Sequence, residues 1–180
     1  MSANNTFVCG IVLLVFTNMA VILAFASPYW IIESVNYGTG ESRHGLWFEC
    51  GYNRECVTNF RLQYKPEDQS KGWFIAVQGL MSVGLALCLL SLLIATISLC
   101  CQKQSCSPSG TIAGLLLTTF LAMCVAVILF GIKASQELKV TVGFDSKTDD
   151  CFGWSFWLAA ASAALSLATS GVYGCASRID

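Results

Sequence analysis

The chain is expected to be an all-α membrane protein with a small β part: four transmembrane helices in a bundle, carrying an extracellular antiparallel β-sheet built from both outer loops. Three observations lead there. Hydrophobic residues make up 55% of the 180 and charged residues 12%, where an ordinary soluble domain carries about 25% charged residues. All 21 charged side chains, 10 basic and 11 acidic, lie outside four apolar runs. The two longer segments between those runs are rich in β-formers. A net charge of −1 lacks the basic excess of a nucleic-acid binder, and no such partner is expected.

The first run spans residues 7–27, the second 74–99, the third 111–132 and the fourth 152–176. Each exceeds the roughly 20 residues that cross a ~30 Å hydrocarbon core at 1.5 Å per residue. Helices follow because an open strand would leave its N–H and C=O groups unpaired in lipid. Residues 28–73 then form loop 1, 100–110 a short turn, 133–151 loop 2 and 177–180 the tail, all within a single domain. Ala24-Phe25-Ala26 before Ser27 imitates a signal-peptidase site. No Lys or Arg precedes Phe7, however, and the run is longer than a signal core of ~7–15 residues. The first run is therefore expected to be retained.

Orientation rests on the cysteines. The two larger loops hold eight of the 10 basic residues, so the positive-inside rule, which counts basic residues in short loops, favours placing them in the cytoplasm. Cys50 and Cys56, however, occupy a polar stretch of loop 1, and such a pair is most useful where disulfides persist. Cys100, Cys101, Cys106 and Cys175 sit at the opposite boundary, as juxtamembrane S-palmitoylation sites do; the alternative is a set of inert thiols. The larger loops are accordingly assigned to the outside and both termini to the cytoplasm. The glycosylation sequon Asn4-Asn5-Thr6 then faces the cytoplasm and is expected to stay unmodified.

In loop 1, Trp30–Tyr37 reads as a strand broken by Gly38-Thr39-Gly40, and Gly45–Cys50 as a second. Gly51–Glu55 makes a turn. From Cys56 the chain alternates, Phe60, Leu62 and Tyr64 against Arg61 and Gln63, as a half-buried strand does. In loop 2, Leu138, Val140, Val142 and Phe144 alternate in the same way. A disulfide between Cys50 and Cys56 would close a tight hairpin, with an entropic gain at the low end of ~2–4 kcal/mol. Cys151 lies near the same face, so three cysteines compete for one bond, unless Cys151 is simply the buried start of the fourth helix.

Trp30, Gly45-Leu46-Trp47, Cys50 and Cys56 resemble the Trp…Gly-Leu-Trp…Cys…Cys pattern of the claudin superfamily, which includes peripheral-myelin-type proteins and calcium-channel γ-subunits. The loop order and sizes agree, and Val77-Gln78-Gly79-Leu80-Met81 adds a weak similarity. The resemblance implies that these six residues are structural, with a Cys50–Cys56 disulfide pinning the hairpin and the aromatics anchoring the sheet near the membrane. Interfacial anchoring alone explains Trp30, Trp73 and Trp154, but not the Gly-Leu-Trp spacing. It further implies a junction protein at the lateral plasma membrane, self-associating in cis or in trans and meeting other junction proteins to form a paracellular barrier.

Two departures refine this. The cysteines are closer together than in vertebrate claudins, and the tail ends in Asp180, which does not suit a PDZ pocket that captures a hydrophobic carboxyl terminus. A claudin-like protein of invertebrate septate junctions fits these features better than a tight-junction claudin. The alternatives are an auxiliary γ-like subunit of an ion channel or receptor, and a membrane-organising tetraspan of the peripheral myelin type. Candidate contact residues are Tyr37, Tyr52, Arg54, Phe144 and Asp145.

No Asp, Glu, Lys, Arg or His falls inside the four runs, so a transporter or pump is not expected. Asn18 and Gln78, the most polar side chains inside, suit interhelical hydrogen bonds. The one histidine, His44, is expected to be solvated. With no Cys-x-x-Cys, metal-ligand cluster or phosphate-cradling loop, no catalytic residue, cofactor or metal is expected.

Overall fold

The computed structural model describes residues 3–34, 41–51, 55–58, 72–100, 108–137, 140 and 151–178. Helix α1 covers Ala3–Ala26, α2 Gly72–Cys100, α3 Ser109–Glu137 and α4 Trp154–Ala176. All four are long and apolar enough to cross a membrane. At 1.5 Å per residue, the 29 residues each of α2 and α3 outreach the hydrocarbon core. The last two turns of α3 therefore take Lys133 beyond the apolar run.

The buried residues follow a steps-of-three-and-four rule. On α2 the series is Val77, Met81, Gly84, Cys88, Ser91 and Ala95, with Gln78 buried beside it; on α3 it runs through Ile112, Leu116, Thr119, Met123, Ala126, Phe130 and Ala134. Side chains at that spacing share one face of a helix. The opposite faces carry Val8, Phe16 and Leu23 on α1, Val83, Leu93 and Ile97 on α2, and Leu121, Val125 and Ile128 on α3, all exposed. Inside and outside are both apolar, so the distinction is one of size and packing, as bilayer-embedded bundles require.

Helix α4 buries Ala159, Ser162, Ala163, Ser166, Thr169 and Ser170, and its small side chains let α1 and α3 approach. Thr17 and Thr169 bridge α1 and α4 through hydroxyls 3.1 Å apart, and Ser170 donates to the Ala113 carbonyl of α3 at 2.8 Å. Asn18 does not take the interhelical role expected of it. Its Nδ2 donates to the Leu14 carbonyl at 2.9 Å, one turn back in its own helix.

Among the described residues, five short strands form one antiparallel sheet: β1 (Ile31–Ser34), β2 (Glu41–His44), β3 (Phe48–Cys50), β4 (Cys56–Thr58) and β5 (Cys151–Phe152). Their order is β4-β3-β2-β1-β5. Both long inter-helix segments thus contribute, since β5 comes from the chain after α3 and pairs with β1 through Ile31↔Phe152 and Ile32↔Cys151.

Two details correct the expectation. Gly45–Cys50 is not one strand. The second strand ends at His44, and Gly45-Leu46-Trp47 is the connection to β3, closed by Gly45 N–H donating to the Phe48 carbonyl at 2.8 Å. A strand would have turned Leu46 to one face of the sheet; the connection lets it point wholly into the bundle. Likewise Phe152 is strand, not helix: Gly153 holds an extended conformation (φ −75°, ψ 169°) and the fourth helix starts at Trp154. The alternating stretches 60–64 and 138–144 lie outside the described residues, apart from buried Val140.

Candidate functional site: the sheet and its mounting

The residues quoted from loop 1 are brought together where the sheet meets the helix ends. Trp30 is fully buried. Its indole Nε1 donates to the Ala24 carbonyl at 2.8 Å, one of the last-turn carbonyls of α1 that the helix cannot pair itself. Its ring meets Phe130 of α3 edge-on at 4.8 Å and Phe156 of α4 at 6.1 Å. Trp30 is therefore a core pin, a structural role that interfacial anchoring alone does not describe. Its amide donates to the His44 carbonyl at 3.1 Å, and its carbonyl accepts from Gly153 at 2.9 Å. One residue thus joins α1, α3, α4, β2 and the β5–α4 junction. Trp73 is half-buried against Phe74 and Phe130, whereas Trp154, 49% exposed on the first turn of α4, keeps the character of a boundary tryptophan.

Gly45 and Gly153 are the points of closest approach. A Cβ on Gly45 would lie 2.5 Å from the Pro28 Cα and 2.7 Å from the Ser27 carbonyl oxygen; one on Gly153 would collide with the Tyr29 carbonyl. Leu46 fills the bundle mouth with no exposure, and Trp47 packs its half-buried ring on Phe25 at 5.2 Å. Gln78 Nε2 donates to the Leu46 carbonyl at 2.6 Å. Through this bond α2 holds the Gly-Leu-Trp turn from within the bundle. Replacing Gln78 with Leu removes that bond and is expected to cost about 1–3 kcal/mol, read as a lowered midpoint of thermal dispersion in detergent.

The disulfide is Cys50–Cys56, joining directly opposed residues of β3 and β4. Cys151 is buried in β5, at the other end of the strand order, and does not belong to that bond. β4 is the end strand of the sheet, with Cys56, Val57 and Thr58 all exposed. Phe48 beside it is 40% exposed.

His44 is not simply solvated. Its Nε2 lies 3.1 Å from Glu33 Oε2 and its Nδ1 3.3 Å from Glu49 Oε1, while Ser42 Oγ donates to the same Glu33 oxygen at 3.1 Å. Alternation of a strand predicts this clustering once the register is known: Glu33 opposes Ser42 and His44 opposes Glu49. The sequence alone hides it because Glu41-Ser42-Arg43-His44 carries no strand signal of its own.

The candidate contact residues Tyr37, Tyr52, Arg54, Phe144 and Asp145, together with Cys101, Cys106 and Asp180, lie outside the described residues, as does the side chain of Cys100. Cys175 is exposed near the end of α4. It sits at the end of the bundle away from the sheet, beside Tyr173, whose ring packs on Gly10 of α1.

Comparison with curated proteins finds no match. The family model described as PMP-22/EMP/MP20/Claudin matches residues 5–173, nearly the whole of a chain with four spans, a five-stranded sheet and a pinned Cys50–Cys56 hairpin. The chain belongs to the PMP-22/EMP/MP20/Claudin family.

Proposed function

We propose that this is a claudin-like junction protein whose sheet faces the intercellular space and contributes to a paracellular barrier by contact with neighbouring copies or other junction proteins. The observation that carries this reading is the contrast between the two sides of the sheet. Its base is fastened to the bundle through Trp30, Gly45, Leu46, Gly153 and Gln78. Its β4 edge and Phe48 are left uncovered among the described residues. A strand edge offers backbone donors and acceptors to a partner, and a rigid mount spares the entropy of ordering it on contact. Nearly balanced charge in residues 28–73, five basic and six acidic, suits a seal better than a strongly charge-selective pore.

This reading places both termini and the 100–110 turn in the cytoplasm, where Cys100, Cys101, Cys106 and Cys175 are positioned for S-acylation. The Cys50–Cys56 bond supports it, since disulfides persist on the outer side. No PDZ scaffold is assigned to the Asp180 terminus. Depletion in a polarised epithelium is the test. Severalfold faster leakage of a small dye, with the protein found at lateral contacts, is the expected result. An intact seal with normal junction strands would refute the barrier role.

A further inference from the structure

We propose that Arg43, Tyr29 and Trp154 form a binding site for the phosphocholine headgroup of a membrane lipid, the guanidinium taking the phosphate and the exposed indole the quaternary ammonium.

The three side chains are contiguous. The Arg43 guanidinium carbon lies 4.8 Å from the Tyr29 ring centroid, and the Tyr29 ring lies 5.6 Å from that of Trp154 at a tilt of 36°. Their level is that of a lipid headgroup. The Tyr29 carbonyl accepts from Ser155 in the first turn of α4, a helix apolar enough to cross a membrane from Trp154 onward. Trp154 is half-exposed there, at the depth where indoles gather among headgroups. Arg43 is brought to the same place from β2, in mid-sheet, and is only partly covered. Its directly opposed neighbours, Ile32 and Cys50, are uncharged.

A guanidinium suits a phosphate because its planar fork meets two oxygens at once, and its five N–H donors leave some to spare for a bond within the protein. Alone, it would take any phospholipid. The indole adds the selectivity. A quaternary ammonium within about 6 Å of a tryptophan face is attracted by the ring quadrupole. Phosphocholine carries an anion and a quaternary cation on one short headgroup, and Tyr29 holds a cation and a π face side by side to receive them. A phosphatidylglycerol headgroup offers the phosphate without the cation and satisfies Arg43 alone. The Tyr29 ring also steadies its two neighbours, the guanidinium by cation–π attraction and the indole by packing, which spares part of the entropy of ordering them on binding. A boundary tryptophan with no lipid of its own would show no dependence on headgroup.

Native mass spectrometry of the full chain in mild detergent tests this, with dioleoyl phosphatidylcholine, sphingomyelin and dioleoyl phosphatidylglycerol added stepwise. The first molecule of phosphatidylcholine is expected to bind about threefold more tightly than phosphatidylglycerol. Trp154→Leu is expected to weaken phosphatidylcholine about threefold and to leave phosphatidylglycerol unchanged. Arg43→Gln is expected to weaken both about fivefold. Sphingomyelin shares the headgroup and is expected to follow phosphatidylcholine in every variant; a preference for sphingomyelin alone would place recognition in its ceramide and overturn the site. Equal affinity for the two glycerolipids in the native chain, or a preference for phosphatidylglycerol, overturns it. So does a ratio that Trp154→Leu does not move, or phosphatidylcholine binding that Arg43→Gln leaves intact. Trp154 is half-exposed and its truncation leaves no core cavity, so that variant reads the site even where loss of the Arg43–Tyr29 contact weakens the sheet. The site needs only a membrane boundary at the sheet end of the bundle and does not rest on the junction reading: headgroup selectivity in a chain that seals nothing still supports it.

Discussion

Gly153→Ala is expected to abolish delivery of the protein to the cell surface, cutting it by more than tenfold. A methyl group at that position would occupy the space of the Tyr29 carbonyl. The obstacle is backbone, so no rotamer change relieves it. That carbonyl accepts from Ser155, and the Gly153 amide donates to Trp30. Moving either strand apart breaks both bonds and the short β1–β5 pairing beside them. Ordinary overpacking costs about 1–3 kcal/mol, occasionally more; a backbone collision with two hydrogen bonds at stake belongs at or above the upper end. Against a total stability of roughly 5–15 kcal/mol, that loss is enough for retention by quality control. Gly45→Ala, which meets Pro28 and Ser27 backbone atoms, is expected to behave similarly. Gly171→Ala is the control. Nothing lies within 4 Å of its would-be Cβ, and Ala is the better helix former by about 1 kcal/mol. Surface biotinylation of the three variants should therefore separate cleanly; normal delivery of Gly153→Ala would show that the sheet is not fastened there.

Gly45 had signalled its importance through its place before Leu46 and Trp47, but Gly153 carried no such signal. It looked like one of several small residues at the start of an apolar run, because nothing local distinguishes a strand-to-helix junction from a helix start when both neighbours are aromatic. The spans themselves were legible: charge exclusion over more than 20 residues has few other causes. Which side of each helix packs inward was not, because lipid is as apolar as a core and no amphipathic face appears. The sheet was half legible. β1 showed in composition, and the Cys50–Cys56 pairing followed only from the family resemblance, since Cys151 competed for the same bond. β2 did not, since Glu41-Ser42-Arg43-His44 holds no β-branched or aromatic residue and owes its strand state to the pairing on both sides. That tertiary override is also why His44 passed for a solvated residue. The bond from Gln78 to a turn 32 residues earlier leaves no periodic trace.

Trp30→Ala is expected to be the most destabilising truncation of a single side chain in loop 1. Trp30 is the largest of the fully buried side chains, and Trp-to-Ala changes in cores cost about 3–5 kcal/mol. Dispersion contacts with Phe130 and Phe156 are lost outright, and in a bilayer bundle such packing is a principal source of cohesion. Trp30→Phe separates the two parts of its role. The phenyl ring keeps most of the contact with Phe130, but the Ala24 carbonyl loses the indole donor that meets it at 2.8 Å. An unpaired buried carbonyl costs about 1–3 kcal/mol, so the Phe variant should fall between wild type and Ala. The readout is the temperature at which half the purified protein remains monodisperse in mild detergent. If Trp30 acted only at the membrane interface, Phe would be nearly neutral and Ala would cost little, because a boundary residue leaves no cavity behind. A large loss in Ala with an intermediate loss in Phe is the pattern of a pin that both fills space and caps α1. The same pair measured with Gln78→Leu should add nearly independently. Trp30 grips the ends of α1, α3 and α4, whereas Gln78 grips the turn from α2, and the indole and the amide donate to different carbonyls, Ala24 and Leu46. Strong non-additivity would instead mean that the sheet lifts from the bundle as one cooperative unit, with either grip sufficient to hold it.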